Sequence, residues 1–366
     1  MNKMRTAPDF VIVAAIFLLL AIGVVMVYSA SAAFAYHKYG DSFYFAKRQL
    51  LFAALGVFLM FLIANIDRKK FEQWAAPGLI LCFVLLAVVL IPGVGILRNG
   101  ARSWLGIGAF SIQPSEFMKL AMIAFLAKIF SRPGFQITRF TKGFLPGLAI
   151  LGAAFALIML QPDLGTGTVL VGTGLILIFA AGARMKHIAG FLMLGAAGFI
   201  GLVLAAPYRI QRIVAFLNPW QDPRGAGYHL IQSLYAIGPG GLLGLGLGMS
   251  RQKHLYLPEP HTDFIFSIFA EELGFLGAGT VVILFAVVVW RGLRIAISAP
   301  DLFSSLVATG ITAMIMIQAV INIGVVSGAF PVTGITLPFL SYGGSSLTLT
   351  LAAVGILLNL SRYTRR

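Results

Sequence analysis

The chain has 366 residues, of which 59% are hydrophobic and only 11% charged, and its mean hydropathy is +0.94. A water-soluble domain of this length could not bury so much apolar surface, so the composition excludes a soluble globular protein. The formal net charge of +15 would suit a nucleic-acid binder. The placement of the cations instead assigns most of that charge to membrane topology, and no nucleic-acid partner is expected.

Ten apolar runs of spanning length follow one another, at about 9–29, 49–66, 75–92, 114–131, 143–160, 164–182, 187–206, 264–290, 302–327 and 343–361. They predict an all-α polytopic membrane protein with ten transmembrane helices in a single domain, residues 1–366. A long extracellular loop is expected between helices 7 and 8. The first run is too long, and too closely followed by further runs, to be a removed signal peptide.

Orientation comes from the basic residues. With a cytoplasmic N-terminus, the short inside segments collect Arg68, Lys69, Lys70, Lys128, Arg132, Arg139, Lys142, Arg184, Lys186, Arg291, Arg294 and Arg362, among others. That is the positive-inside pattern, and it places both termini in the cytoplasm. Lys47, Arg48, Arg98, Arg102, Lys119, Arg209, Arg212, Arg224, Arg251 and Lys253 break the rule by falling on or just inside the outer side. Cations kept there point to an anionic ligand. The competing reading pairs some of them with Asp41, Glu116, Asp163 or Asp222, or with lipid headgroups.

Metal and disulfide signals are sparse. The lone cysteine, Cys82, lies in an apolar run, so it reads as packing and excludes an intrachain disulfide and a cysteine metal cluster. The five histidines form no HExxH or His-rich tract. No internal repeat points to the inverted halves of a transporter.

Three outer segments carry the candidate chemistry. In Arg98 to Met122, Pro114 suits the first turn of a helix, which Gln113 or Ser111 could cap. The positive end of that helix, with Arg102 and Lys119, would make a phosphate site. Glu116 stands three residues before Lys119, so a local ion pair competes with that reading. Trp104 reads as an interfacial anchor or as a platform for stacking a sugar. In QPDLGTG, Gln161 to Gly167, Asp163 is placed to cap the next helix or to face the same outer cavity.

The third segment, Ala206 to Thr262, is far longer than an ordinary connection, as functional loops often are. Within it, Leu230, Ile231, Leu234 and Ile237 share one face of a predicted short helix lying along the interface. The glycine run Gly238 to Gly248 lacks a P-loop's GK[ST], which argues against nucleotide binding and for a flexible or re-entrant loop. The segment ends at Asp263, on the edge of the eighth apolar run. A carboxylate at bilayer depth costs about 2.5 kcal/mol or more, so among only twelve acids this one needs a reason to be there. Glu271 and Glu272, deeper in the same run, read as acids that hold helices together, which leaves Asp263 as the acid a substrate could reach.

The segments FAKRQLLF, RSWLGIGAFSIQPSEFMKLA, QPDLGTG, LNPWQDPRGAGYHLIQSLYAIGPGG, LPEPHTDFIFSIFAEELGF and NIGVVSGAFPVTGITLPFLSYGGSS extend over nearly the whole chain. Together they resemble the SEDS family of bacterial cell-wall proteins (FtsW, RodA and SpoVE). RQKHLYLPEPHTDF and the short termini look nearest the SpoVE branch, with FtsW left open. The resemblance implies a ten-helix membrane glycosyltransferase that polymerises lipid II and releases undecaprenyl pyrophosphate. It places the catalytic acid on Asp263 and substrate contacts on Arg48, Arg102, Lys119 and Asp163, with Glu259, Tyr342 and Gln113 less firmly mapped. It also implies a class B penicillin-binding protein (a transpeptidase) as partner. One base suffices for such a reaction, because pyrophosphate leaves without a general acid. A divalent cation (Mg or Mn) between pyrophosphate and an acid is compatible with these residues, although no dedicated metal motif is present. A lipid II flippase and a non-catalytic scaffold for a transpeptidase are the alternatives.

Overall fold

The computed structural model describes residues 7–98, 101–107, 110–204, 210, 214 and 216–364. Among the rule-breaking cations, Arg209 and Arg212 lie outside the described residues. Each predicted apolar run coincides with a helix: α1 (Phe10–Tyr39), α2 (Tyr44–Ala64), α3 (Arg68–Val89), α4 (Pro114–Phe130), α5 (Leu145–Met159), α6 (Leu164–Ala180) and α7 (Met185–Leu204). The short α8 (Tyr228–Gly240) follows, then α9 (Ile265–Ile297), α10 (Leu302–Val326) and α11 (Gly344–Ser361). Seven of the described helices are long and apolar enough by themselves to cross a membrane: α1, α2, α3, α5 with its leading π-helical turn, α9, α10 and α11. The chain is therefore a helical polytopic membrane protein.

Four of its scarce acids start helices. Asp9, Asp67, Asp163 and Asp301 each accept a backbone N–H from the first turn of α1, α3, α6 and α10. Such caps contribute about 1 kcal/mol each. Helix α1 runs ten residues past its predicted end at 29, because Ala30–Tyr39 holds no helix breaker before the left-handed Gly40.

One departure from the all-α expectation lies between α3 and α4. Strands β1 (Ile96–Arg98), β2 (Ala101–Ile107) and β3 (Phe110–Ile112) form an antiparallel sheet in the order β1-β2-β3. The segment holds three glycines, which weaken a helix, together with isoleucine, tryptophan and phenylalanine, which favour strands. Pro114 then opens α4 at its first position, although the Gln113 side chain makes no cap bond.

Packing fixes two ends. At one end Arg291 pairs with Asp9 and Arg68 with Asp301, while the Asn359 amide reaches the carbonyls of Ile63, Ala64 and Ile66. At the other end Gln49 donates to Ser341 O, and Ser345 to Ser111 O. Between them, glycines let α2 and α11 close on each other: a Cβ on Gly355 would lie 2.5 Å from Met60 O.

Two non-helical stretches run through the apolar body. Helix α9 breaks at Gly274, at φ 65° and ψ −163°. Four backbone groups around the break pair with the glycine run: Leu245 N–H to Glu271 O, Gly246 N–H to Glu272 O, Phe275 N–H to Gly241 O and Leu276 N–H to Leu242 O. The run is thus a bound loop rather than a free one, which is what makes irregular backbone tolerable in an apolar surrounding. The second stretch, 331–343, brings Phe339 and Leu340 against Gly23, near the middle of α1.

Helix α8 forms where expected, but its inner face packs on α9 and α10 rather than lying open on an interface. Leu230 and Ile231 are buried, and Ser233 Oγ sits 2.7 Å from Ser267 Oγ and donates to Val326 O at 2.6 Å.

Candidate active site

Three chain segments converge at the end opposite the Arg291–Asp9 pair. Asp263 lies two residues before α9, half-buried. Asp163 caps α6, and the loop 333–335 packs across both. A Cβ on Gly165 would meet Thr333 O at 2.6 Å, and one on Gly334 would lie 3.5 Å from Asp263 Oδ2. Gly334 has φ +72°, so the backbone there favours glycine, while a Cβ would make only ordinary contact with the acid.

The Asp263 carboxylate has no hydrogen-bond or ion-pair partner among the described residues. Burial, then the negative charges of Glu259 and Asp163, push its pKa up to about 7. Asp163 itself is tied down. Its Oδ1 accepts from Thr166 N–H at 3.0 Å, and its Oδ2 accepts from the Gln113 amide at 2.9 Å. Gln113 thus joins α4 to α6 instead of capping its own helix. Glu259 is exposed, with φ +50°, and accepts from the Thr262 hydroxyl at 3.2 Å.

Behind the acid, the loop is fixed by backbone bonds. Ser341 Oγ donates to Thr262 O at 2.6 Å, and Tyr342 N–H donates to His261 O at 2.8 Å. The Asn322 amide donates both to Asp263 O at 2.8 Å and to Ile335 O at 2.7 Å. The His261 ring is buried among Phe34, Phe45 and Tyr342, and burial together with Lys38 lowers its pKa to about 4. It is therefore neutral at pH 7.

The predicted cations divide. Arg48 is close to the acid's loop: its charge acts on the Tyr342 hydroxyl, and its guanidinium lies 4.3 Å over the Tyr44 ring. Lys119 is 2% exposed and pairs with Glu116 at 2.8 Å, which is the local ion pair weighed in the sequence. Arg102 and Trp104 stand half-buried on β2, with the Arg102 stem over Gly95. Lys47 pairs with Asp41, and Lys253 with Glu272. The structure therefore gathers Asp263, Glu259 and Asp163, with Tyr342 and Arg48 alongside. Asn322, Gly334 and Ser341 are the members sequence reasoning missed; the signal available was a pair of amides, Gln318 and Asn322, in the apolar run 302–327 and the motif VTGITLPFLSYGGSS.

No group of three His, Cys, Asp or Glu side chains among the described residues is placed to hold a metal ion. The three acids share a field without forming a ligand set.

A half-buried, unpaired carboxylate at the mouth of a helical bundle can accept a proton, and comparison with known proteins gives it a context. A family described as "Cell cycle protein", FtsW/RodA/SpoVE, matches residues 10–366. The chain belongs to this family. Stage V sporulation protein E of Bacillus subtilis is 62% identical over 365 residues, covering 100% of both chains. A probable peptidoglycan glycosyltransferase FtsW of Trichlorobacter lovleyi is 45% identical over 96% of this chain and 93% of its own. Those two identities agree with the SpoVE-like motifs. Among solved structures, a chain from work described as "Structural coordination of polymerization and crosslinking by a peptidoglycan synthase complex" superposes with TM-score 0.82 at 34% identity, over 97% of this chain and 98% of that one. The Rod shape determining protein RodA of Thermus thermophilus follows at TM-score 0.73 and 31% identity, over 98% and 99%. The strands and the re-entrant segments thus belong to a SEDS fold.

Proposed function

We propose that this SEDS protein is a peptidoglycan glycosyltransferase that polymerises lipid II and releases undecaprenyl pyrophosphate, with Asp263 as general base at the outer face of the cytoplasmic membrane. The observation that carries the reading is the unpaired Asp263 carboxylate, raised to about 7 beside Glu259 and Asp163. A base poised near the working pH is best matched to take a proton in the transition state. The relatives named as peptidoglycan glycosyltransferases supply the substrate class.

The acceptor sugar hydroxyl gives its proton to Asp263 as its oxygen bonds to the anomeric carbon of the donor. The bond from that carbon to pyrophosphate breaks, and its electron pair leaves with the phosphate oxygen. Single displacement inverts the anomeric centre. Arg48, with Arg102, is the candidate contact for the charge that develops on the leaving group. Lys119 would join them only by giving up Glu116. A divalent cation would have to take substrate oxygens as most of its ligands, because the acids alone do not fit a resident metal, and no step is assigned to it.

The ten long helices are taken as ten spans with both termini inside, since the basic end collects the short cationic loops. A class B penicillin-binding protein is the proposed partner, supported by the likeness to a chain from a peptidoglycan synthase complex.

The test is glycan-strand formation from purified lipid II by the wild type and by Asp263→Asn, with and without a cognate transpeptidase. Polymer from the wild type and none from a folded variant is expected. Equal polymer from both would remove Asp263 as the base. Translocation of lipid II without polymer would identify a flippase, and neither activity with partner binding intact would identify a scaffold.

A further inference from the structure

The carbonyl of Asp263 lies just outside α9. Near the start of that helix the Ser267 and Ile268 N–H groups bond to Phe264 O instead. Ile335 O lies in a stretch with no regular structure. Both carbonyls need donors, and they lie on the two segments that flank the acid: one carries Asp263, the other carries Gly334 against its Oδ2. The two N–H bonds of the Asn322 carboxamide supply both, from a helix residue that is 1% exposed. Its Oδ1 is left buried without a partner. Turning the amide over would aim that oxygen at two carbonyls, so the orientation is dictated, and the unpaired acceptor is tolerated.

We propose that Asn322 is the positioning residue of this site: it clamps the Asp263 backbone to the 333–335 loop and so sets where the carboxylate stands. The clamp rests on the glycosyltransferase reading only for what the carboxylate then does. A shift of about 1 Å in a reacting group can cost a hundredfold in rate. The groups that share the field of Asp263 are Glu259 and Asp163, with neutral His261 two residues away on the same loop. Releasing the clamp opens the loop to water, which relieves burial, the largest influence on the acid.

The test uses full-length protein in lipid nanodiscs with Asn322→Leu, which nearly keeps the volume and removes both donors without adding a charge, and with Asn322→Ala. Reaction of the Asp263 carboxyl with a hydrophobic carbodiimide, read by mass spectrometry across pH, reports its protonation without turnover. Labelling of the wild type should fade as pH rises through about 7. In the variants it should fade at lower pH, while kcat falls about tenfold or more and KM stays within about threefold. Unshifted labelling in folded variants, with turnover within about twofold of wild type, overturns the clamp. Should the wild type form no polymer, the glycosyltransferase reading fails, and the labelling curves alone decide: a shift supports the clamp, and none overturns it. If one variant fails to fold, the other carries the comparison. Loss of folding in both assigns Asn322 a purely structural role and also overturns the proposal.

Discussion

Asp263 shows how one side chain acquires its chemistry from its surroundings. Burial raises its pKa most, and the charges of Glu259 and Asp163 raise it further. Since the base must be ionised, the rate of polymer formation should climb as pH rises through about 7, the value to which the acid is pushed. Glu259→Gln removes one negative neighbour, which favours ionisation, so the acid limb should move to lower pH and the ratio of rates at pH 6 and pH 8 should rise. An unmoved limb in a pH–rate series would break the coupling. The sequence marked Asp263 because an acid on the edge of an apolar run is costly. It could not mark Asn322, whose partners lie 59 and 13 residues away. Lys119 was legible in both of its readings, and only coordinates could put its ammonium 2.8 Å from Glu116.

Among the elements, α9 is built as two pieces joined at Gly274, and the join is held by side chains as well as backbone. Glu271 accepts from Ser250 Oγ at 2.5 Å and from Arg251 N–H at 2.9 Å. Glu272 is fully buried, pairs with Lys253 at 3.0 Å and accepts from Ser29 Oγ at 2.8 Å. The sequence already assigned these acids to holding helices together. The sequence alone does not give the partner, because Lys253 falls among the outer cations that could serve a ligand. Its ammonium instead donates to Glu272, Ser29 and Gly248 O. Glu272→Ala should cost about 3–5 kcal/mol, since it leaves a buried ammonium unpaired. Replacing both partners, Glu272→Leu with Lys253→Met, should restore most of that loss. Thermal unfolding of the three variants in one detergent checks the order, and a double variant no better than the single one would count against the pair.

Across the whole molecule, charge sorts by end. The Arg291–Asp9 and Arg68–Asp301 pairs, with exposed Arg139 and Lys142, mark one end. The Asp263 loop lies at the other, and outward exposure of that loop follows if the basic end is cytoplasmic. In a Cys82→Ala background, Arg224→Cys should react with a membrane-impermeant maleimide in intact cells, and Lys142→Cys should react only after lysis. The reverse pattern would invert the topology and remove the outer-face reaction. The three-stranded sheet between α3 and α4 is an architectural feature that hydropathy does not anticipate. Its sequence held a signal, the Asn99-Gly100 dipeptide that favours tight hairpins, between short runs with few charges.

By itself, the sequence determined that the chain lives in a membrane, where its helices lie, which loops carry the cations and which acid is out of place. Those properties follow from transfer of side chains between water and lipid, which acts on each local run. Only the tertiary structure decided that Asp163, Glu259, Gly334 and Asn322 surround that acid, that the glycine run fills a break in α9, and that Lys119 and Lys253 are held by carboxylates. Apart from Lys119 with Glu116 and Glu259 with Asp263, which are neighbours in the chain, these contacts join separate segments, and hydrogen bonds and ion pairs act only over a few ångströms once packing has brought their partners together.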